Sequence, residues 1–320
     1  MTASPARSPL LRSLRDRMRR ARKILRYAVR PWNTASQLYW AREGQTRTHE
    51  GWPAGHFYSP IPGLDEIRAR EREIFAVPRE LPGIDLNEAG QLQLLGALAA
   101  RYAASPYPTG PDTRRYTPDN PNFAPGEAAA LFTMIRHLRP RRIIEVGSGY
   151  SSAVILDALE GAEEPAECIM IEPYPDLMRS VLRAGDERRI TIVPKRLQDV
   201  GTGIFEALRT DDILFVDSTH VSKTDSDVTH ALGRILPSLA PGVVVHFHDI
   251  YHPFEYPREW VYQGRAWNEA YALRAFLQYN SAFRIELFTS WLWHFQREAL
   301  ATALPPCAEW HASSLWLRRL

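Results

Sequence analysis

Two short stretches end in side chains able to move protons or hold a cation. Phe215-Val-Asp217-Ser-Thr-His220 and Val245-His-Phe-His248-Asp249 each run from apolar residues into acids and imidazoles. Packing needs no such endings, so these are the first candidates for chemistry. Asp217 or His220 could act as general base on a hydroxyl, with Asp249 and His248 close by as further catalytic candidates. Asp217 and Asp249 could instead hold a hard divalent cation through oxygen, with magnesium or manganese as the candidates. His248 is a softer donor that suits manganese or iron better than magnesium. The plainer readings are that Asp217 caps the turn after its strand and that His246 is a core side chain.

A second kind of pattern lies upstream, in Arg141-Arg-Ile-Ile-Glu-Val-Gly-Ser-Gly-Tyr-Ser-Ser152. An apolar run, a tight Gly147-Ser148-Gly149 turn and a helix start bring backbone N–H groups and a partial positive charge to one point. Glycine there lets the backbone approach a ligand closely. Glu145 sits near the end of the run. The next apolar run, Cys168-Ile-Met-Ile-Glu172, ends in a carboxylate placed to accept hydrogen bonds from a ribose diol. Asp199, in Arg196-Leu-Gln-Asp199, could meet an adenine edge or simply close a turn. Together these residues predict a site for a nucleotide-type cofactor.

These stretches must be carried by alternating strands and helices, the sign of a parallel sheet with crossover helices. The pattern predicts strands over Arg142–Val146, Cys168–Glu172, Ile190–Val193, Ile213–Asp217, Val243–His248, Phe283–Phe288 and Ser314–Arg318. Upstream, helices are predicted over Leu64–Phe75, Asn87–Tyr102 and Gly126–Leu138. A long aromatic helix is predicted over Trp291–Leu304. The expected fold is α/β, a doubly wound, mostly parallel seven-stranded sheet with an N-terminal helical extension. The expected division is a basic tail or helix over 1–50, a helical cap with proline-rich loops over 51–123, and the sheet domain over 124–320.

Composition bounds the rest. Hydrophobic content of 45% and charged content of 24% are ordinary for a globular chain. No apolar run long enough to span a bilayer and no secretory h-region is evident, so a cytoplasmic protein is expected. The two cysteines, Cys168 and Cys307, lie far apart and are expected to be reduced core residues. The net charge is only +2, yet residues 1–30 hold ten Lys/Arg against one acid, Asp16. The body is therefore mildly acidic, and a nucleic-acid partner is not expected. Leu11, Leu14, Met18, Ala21, Leu25 and Ala28 share one helical stripe within the basic stretch. It could give weak contact with an anionic membrane surface, or be a solvated tail. Oligomeric state is not legible.

Glu145-Val-Gly-Ser-Gly149 resembles the first motif of class I S-adenosylmethionine-dependent methyltransferases. The dinucleotide fingerprint of nicotinamide-dependent oxidoreductases would want a third glycine where this chain has Ser152. Ile171-Glu-Pro173, Asp212-Ile-Leu-Phe-Val-Asp-Ser218, His220-Val-Ser-Lys223, Ser226-Asp-Val228, His246-Phe-His-Asp-Ile250, Glu259-Trp260 and Trp267-Asn-Glu269 extend the likeness. From about Tyr58 to Phe288 the chain is similar to a bacterial, methyltransferase-24-like group of that class. The resemblance implies S-adenosylmethionine as cofactor and O-methylation of a small-molecule or glycan-like acceptor. Tyr251, Tyr256, Trp260, Trp267 and Asn268 would then shape the acceptor pocket as a lid after the fifth strand. More distant sugar and macrolide O-methyltransferases bind magnesium at the ends of the fourth and fifth strands. This chain has His248 where they have a second acidic ligand, so a metal does not follow from the likeness. A non-catalytic, partner-binding protein that keeps the fold is the reading from another class.

Overall fold

The computed structural model describes residue 52 and residues 54–108, 114–162 and 166–320. The chain divides into two compact units, Met1–Gly63 and Leu64–Leu320. The basic helix expected over residues 1–30 lies outside the described residues. In the first unit Gly55 N–H donates to the Ile61 carbonyl at 2.9 Å and Trp52 stacks on His56 with ring centroids 4.1 Å apart. Among the described residues no helix is long and apolar enough to cross a membrane.

The second unit opens with α1 (Leu64–Ala69), α2 (Glu71–Ile74), α3 (Glu88–Ala104) and α4 (Pro125–Leu138). Strands and helices then alternate: β1 (Arg142–Val146), α5 (Tyr150–Leu159), β2 (Glu167–Ile171), α6 (Asp176–Val181), β3 (Ile190–Val193), α7 (Gly203–Glu206) and β4 (Ile213–Val216). Next come α8 (Asp227–His230), which runs on through a π turn (Ala231–Ile235), and β5 (Val244–Phe247). The chain ends with α9 (Arg258–Tyr262), α10 (Glu269–Leu277), β6 (Phe283–Phe288), α11 (Thr289–Phe295), α12 (Arg297–Ala303), α13 (Pro305–Trp310) and β7 (Leu315–Arg319).

All seven expected strands form one sheet, in the order β3-β2-β1-β4-β5-β7-β6. Pairs among β1 to β5 are parallel, and β7 runs antiparallel to both β5 and β6. Every residue of β4 and β5 is buried, as strands covered by helices on both faces must be. Their near-continuous apolar character is what made them legible. Cys168 and Cys307 are both buried free thiols, and burial pushes Cys168 up to about 12.

Two helices expected as single pieces are broken. The Leu64–Phe75 segment divides at Arg70, whose backbone leaves the helical region at φ −119°. The Trp291–Leu304 segment divides at Gln296, with φ −138° and ψ 39°. Its side-chain amide instead reaches Glu88 of α3 at 2.5 Å, a tertiary hydrogen bond invisible to helical periodicity.

Chain order reverses between β1 and β4, which leaves a crevice beyond the carboxyl ends of these strands. The loop before α4 walls one side of it and is tied down by charge. The Asp157 carboxylate of α5 accepts from the Tyr107 hydroxyl at 2.9 Å and from the Arg115 and Tyr116 amides at 3.0 and 3.2 Å. Arg115 also donates two bonds, at 2.8 and 2.7 Å, to Asp186. Both Arg115 and Asp186 side chains are 4% exposed, so this pair is shielded from water. Tyr116 then donates to the Phe123 carbonyl at 2.8 Å, which fixes the end of the loop.

Candidate active site

The Gly147 turn and the end of β4 are pressed together. Gly147 has φ +83°, and a Cβ built there would lie 1.6 Å from the Asp217 carbonyl oxygen. Only glycine can occupy this point, for reasons of both backbone conformation and space. A cavity of about 150 Å³ opens beside the turn. It is lined by Gly147, Ser148, Gly149, Tyr150, Ser151, Glu172, Leu177, Asp217, Asn122 and Phe123. Ser148 is buried, yet its hydroxyl has no hydrogen-bond partner in the protein. Of the cofactor candidates, Gly147, Ser148, Gly149, Glu172 and Asp217 therefore share one cavity.

Glu145 does not reach that cavity. Its carboxylate is fully buried and accepts from the Ser151 hydroxyl at 2.6 Å and the Ser152 hydroxyl at 2.5 Å. The Ser152 oxygen in turn accepts from Gly149 N–H at 3.0 Å. Glu145 thus braces the turn and the first turn of α5 from beneath. Burial raises its pKa to about 7, against the lowering effect of the serine hydrogen bonds. Asp199 also stands apart: it is exposed and bonded to Arg196 at 2.9 Å through both oxygens. Glu172 accepts from Tyr174 N–H at 2.8 Å at the tip of β2.

Past the ends of β4 and β5 the two polar stretches meet. His220 Nε2 lies 3.3 Å from Asp217 Oδ1 and 3.9 Å from Asp249 Oδ2. His248 Nδ1 lies 3.4 Å from the same Asp217 oxygen and 3.6 Å from Asp249 Oδ2. The four catalytic candidates are therefore one cluster. Two of them, His220 at φ 59° and Asp249 at φ 57°, hold left-handed backbone that costs a non-glycine residue energy, a feature that gathers at functional sites.

Sequence reasoning missed two members. Glu269, at the start of α10, accepts at 2.8 Å from His220 Nδ1–H and is 1% exposed. Glu127, in the first turn of α4, places Oε1 3.8 Å from His248 Nε2 and 2.9 Å from the Ser313 hydroxyl. Its other oxygen accepts from Ala124 N–H at 2.8 Å. Glu127 closes its own helix start, which is a signal readable from Ala124-Pro125-Gly126-Glu127. Glu269 stood inside the matched Trp267-Asn-Glu269 block but carried no role.

Charge is distributed unevenly within this cluster. Burial would lower His220, but hydrogen bonds to Asp217 and Glu269 prevail and raise it to about 10. Burial would raise Asp217, but the charges of His248 and His220 hold it well below the usual carboxylate range. His248 is raised by Asp217 and Asp249 against its burial, and His248 in turn holds Asp249 down. Neither His248 nitrogen makes a hydrogen bond of good geometry, although the residue is 3% exposed. His246 is a different case. It is fully buried, stacked on Phe215 at 4.2 Å and edge-on to Trp316 at 4.6 Å, and burial keeps it neutral. It is a core side chain.

The expected lid residues divide by task. Trp267 packs against the His220 ring at 4.4 Å and against Trp260 at 5.4 Å, with the Arg265 guanidinium over both indoles. Tyr251 lies edge-on to Trp260 at 5.5 Å. Tyr256 spends its hydroxyl on Ala270 N–H at 3.1 Å. Asn268 spends its amide on the Ser222 backbone, accepting at 2.5 Å and donating at 3.2 Å. The last two therefore hold α10 against the loop after β4. None of the five lines the glycine-turn cavity.

Residues 144–250 match the family described as Methyltransferase domain, a span that runs from β1 through the end of β5. An uncharacterized protein of Archaeoglobus fulgidus is 37% identical over 186 residues, which is 56% of this chain and 83% of that protein. The chain belongs to the class I S-adenosylmethionine-dependent methyltransferases. Among solved structures, this methyltransferase is similar to the SAH-bound methyltransferase PaMTH1 of Podospora anserina, at 13% identity and a TM-score of 0.41, covering 85% of this chain and 100% of that one. It is also similar to the O-methyltransferase TomG of Streptomyces achromogenes, solved with SAM, at 16% identity and a TM-score of 0.40, covering 80% and 96%.

Proposed function

We propose that this methyltransferase moves the methyl group of S-adenosylmethionine to an oxygen of a small-molecule or glycan-like acceptor. The observation that supports the reading is that Asp217 belongs to both halves of the site. It lines the glycine-turn cavity, and its Oδ1 lies nearer to both His220 and His248 than the Asp249 carboxylate does. The residues present suit the cofactor: a glycine turn opening on the cavity, an orphaned Ser148 hydroxyl, and Glu172 on the cavity wall. Glu172 would take the ribose diol, and the Gly147–Gly149 backbone the amino-acid end. The cofactor supplies an electrophilic methyl on a sulfonium.

The chain's own residues then have two tasks. The first is alignment, since in-line geometry accounts for much of such a barrier. The second is removal of one proton. With S-adenosylmethionine bound there as methyl donor, the Asp217–His220 pair would take the proton that the acceptor hydroxyl gives up and pass it to water. His220 Nε2 stands behind Asp217 and keeps that carboxylate ionised between turnovers. Tyr251, Trp260 and Trp267 would give the acceptor an aromatic wall.

A divalent cation also suits the donor set. One oxygen each of Glu127 and Asp249 and one His248 nitrogen lie within 4.8 Å of one another, and neither His248 nitrogen makes a hydrogen bond of good geometry. These residues, rather than Asp217 with Asp249 alone, would hold it, and a bound cation would lower the pKa of an acceptor hydroxyl. The mixed oxygen and imidazole donors favour manganese or iron over magnesium.

Calorimetry with S-adenosylmethionine tests the first part of the reading, and absence of binding would end it. Turnover of a panel of phenols, sugars and aliphatic alcohols tests the second. With the acceptor that reacts best, Asp217→Asn and His220→Ala should each lower kcat by about 10²–10⁴, the scale of a lost proton-transfer group. Turnover should survive exhaustive chelation. Loss on chelation with recovery in manganese would replace the metal-free base by a cation-assisted one.

A further inference from the structure

We propose that Glu269 is a positioning residue for methyl transfer: it holds His220 by Nδ1 so that Nε2 stays on the Asp217 carboxylate at the cavity. The inference rests on the methyl-transfer reading of the same site. It starts from a chain of contacts, Glu269 to His220 at 2.8 Å and His220 to Asp217 at 3.3 Å. Asp217 lines the cavity, and Glu269 does not. Glu269 therefore acts on any bound acceptor only through the imidazole.

Three features say that the carboxylate is there to orient the ring. Its side chain is 1% exposed, and one of its oxygens, Oε1, has no hydrogen-bond partner. Burying a charged, half-satisfied group is costly and is tolerated where a specific partner needs it. A neutral capping residue would serve the helix start equally well. The backbone tells the same story. The His220 carbonyl accepts from both Asn268 and Glu269 N–H, at 3.0 and 3.1 Å, so the left-handed residue is pinned by the first turn of α10. Trp267 then lies 4.4 Å from the ring and shields the pair from water. Backbone and side chain of one helix start thus set both the place and the rotation of a single imidazole.

With Nδ1–H directed at Glu269, the Nε2 edge is presented to Asp217, which keeps one carboxylate oxygen occupied. Asp217 then keeps a fixed orientation, with its remaining lone pairs toward the cavity. Loss of the Glu269 carboxylate frees the ring to rotate, and Asp217 is no longer held. The expected defect lies in the chemical step and not in cofactor affinity, because the Glu172 and Gly147 contacts are untouched.

The test uses Glu269→Gln and Glu269→Asp in the full-length protein. Calorimetry with S-adenosylmethionine should give both variants an affinity within about threefold of wild type. With the best acceptor of the hydroxyl panel, Glu269→Gln should lose at least tenfold in kcat, about the lower range for a disturbed proton-transfer group. Its KM for S-adenosylmethionine should hold, and Glu269→Asp, which keeps the charge, should recover part of the rate. Nitrogen-edited NMR of the histidine rings adds a readout that needs no acceptor. Wild type should show a far-downfield, exchange-protected Nδ1–H of His220, absent from His220→Ala and moved upfield in Glu269→Gln. A Glu269→Gln kcat within threefold of wild type overturns the proposal, as does a ring signal that Glu269→Gln leaves in place. A wild-type spectrum without a protected His220 Nδ1–H overturns it even where Glu269→Gln does not fold. Failure of wild type to bind S-adenosylmethionine removes the methyl-transfer reading, while the ring signal still decides whether Glu269 orients His220.

Discussion

The two halves of the crevice are built on opposite plans. At the end of β1 the work is done by backbone: a glycine turn, a helix start, and one buried carboxylate, Glu145, whose two oxygens are both occupied by serine hydroxyls. At the ends of β4 and β5, two imidazoles stand among Asp217, Asp249, Glu127 and Glu269, and His248 finds no hydrogen bond. The first half satisfies its buried carboxylate and leaves the Ser148 hydroxyl of the turn without a partner. The second is left unsatisfied, and buried polar groups without partners are expensive unless something else is to meet them. On the proposed reading, the contrast separates a cradle from a reacting edge.

Breaking the cradle should have the largest effect. Gly147→Ala adds a Cβ into the Asp217 carbonyl at a backbone conformation that alanine resists. The expected loss is about 4 kcal/mol or more of stability, the scale of severe single substitutions. Thermal melting checks it, and an unchanged Tm would show that the ends of β1 and β4 do not abut.

Glu145 offers a gentler way to read the same half. Its folded pKa of about 7 lies above the usual carboxylate value because burial disfavours the charge. The folded state therefore prefers the protonated acid. Stability from this group is full below about pH 4.5 and declines as pH rises to about 7, by up to about 3 kcal/mol. Glu145→Gln should flatten that decline in denaturant titrations run at several pH values. A decline of the same size in the variant would assign it to another group.

Glu172→Ala should cost least. It leaves the glycine turn intact and removes the proposed ribose partner with one exposed hydrogen bond from Tyr174 N–H, so S-adenosylmethionine binding should weaken by roughly 1–3 kcal/mol with little change in Tm. Calorimetry beside a melting curve measures both. A large drop in Tm would make Glu172 part of the cradle's frame and not a ligand contact.

Much of the cradle was legible because its parts are close in sequence. An apolar run, a glycine turn and a helix start occupy twelve consecutive residues, 141–152, and each has a local physical signature. The facing cluster was legible only as two strand endings. Glu127 and Glu269 read as ordinary acids in first helical turns, and their positions 127 and 269 lie far from residues 217–220 and 248–249. The lid residues show the converse. Tyr256 and Asn268 have the right character for a binding wall, yet the structure commits their polar groups to Ala270 and Ser222. Glu145 likewise has the right type and place for a ligand, but its burial under Ser151 and Ser152 makes it a brace.

By itself the sequence determined the alternation of strands and helices, the seven-stranded sheet, the glycine turn and the polar ends of β4 and β5, because periodicity and turn chemistry act between near neighbours. Only tertiary structure decided which carboxylates surround His220 and His248, which aromatics face a ring and which close a turn, and where helices break at Arg70 and Gln296. Those outcomes depend on contacts such as Glu269 with His220 and Gln296 with Glu88, between residues tens to hundreds of positions apart. No local preference encodes such a contact; it exists only once the sheet has brought the two partners to the same edge.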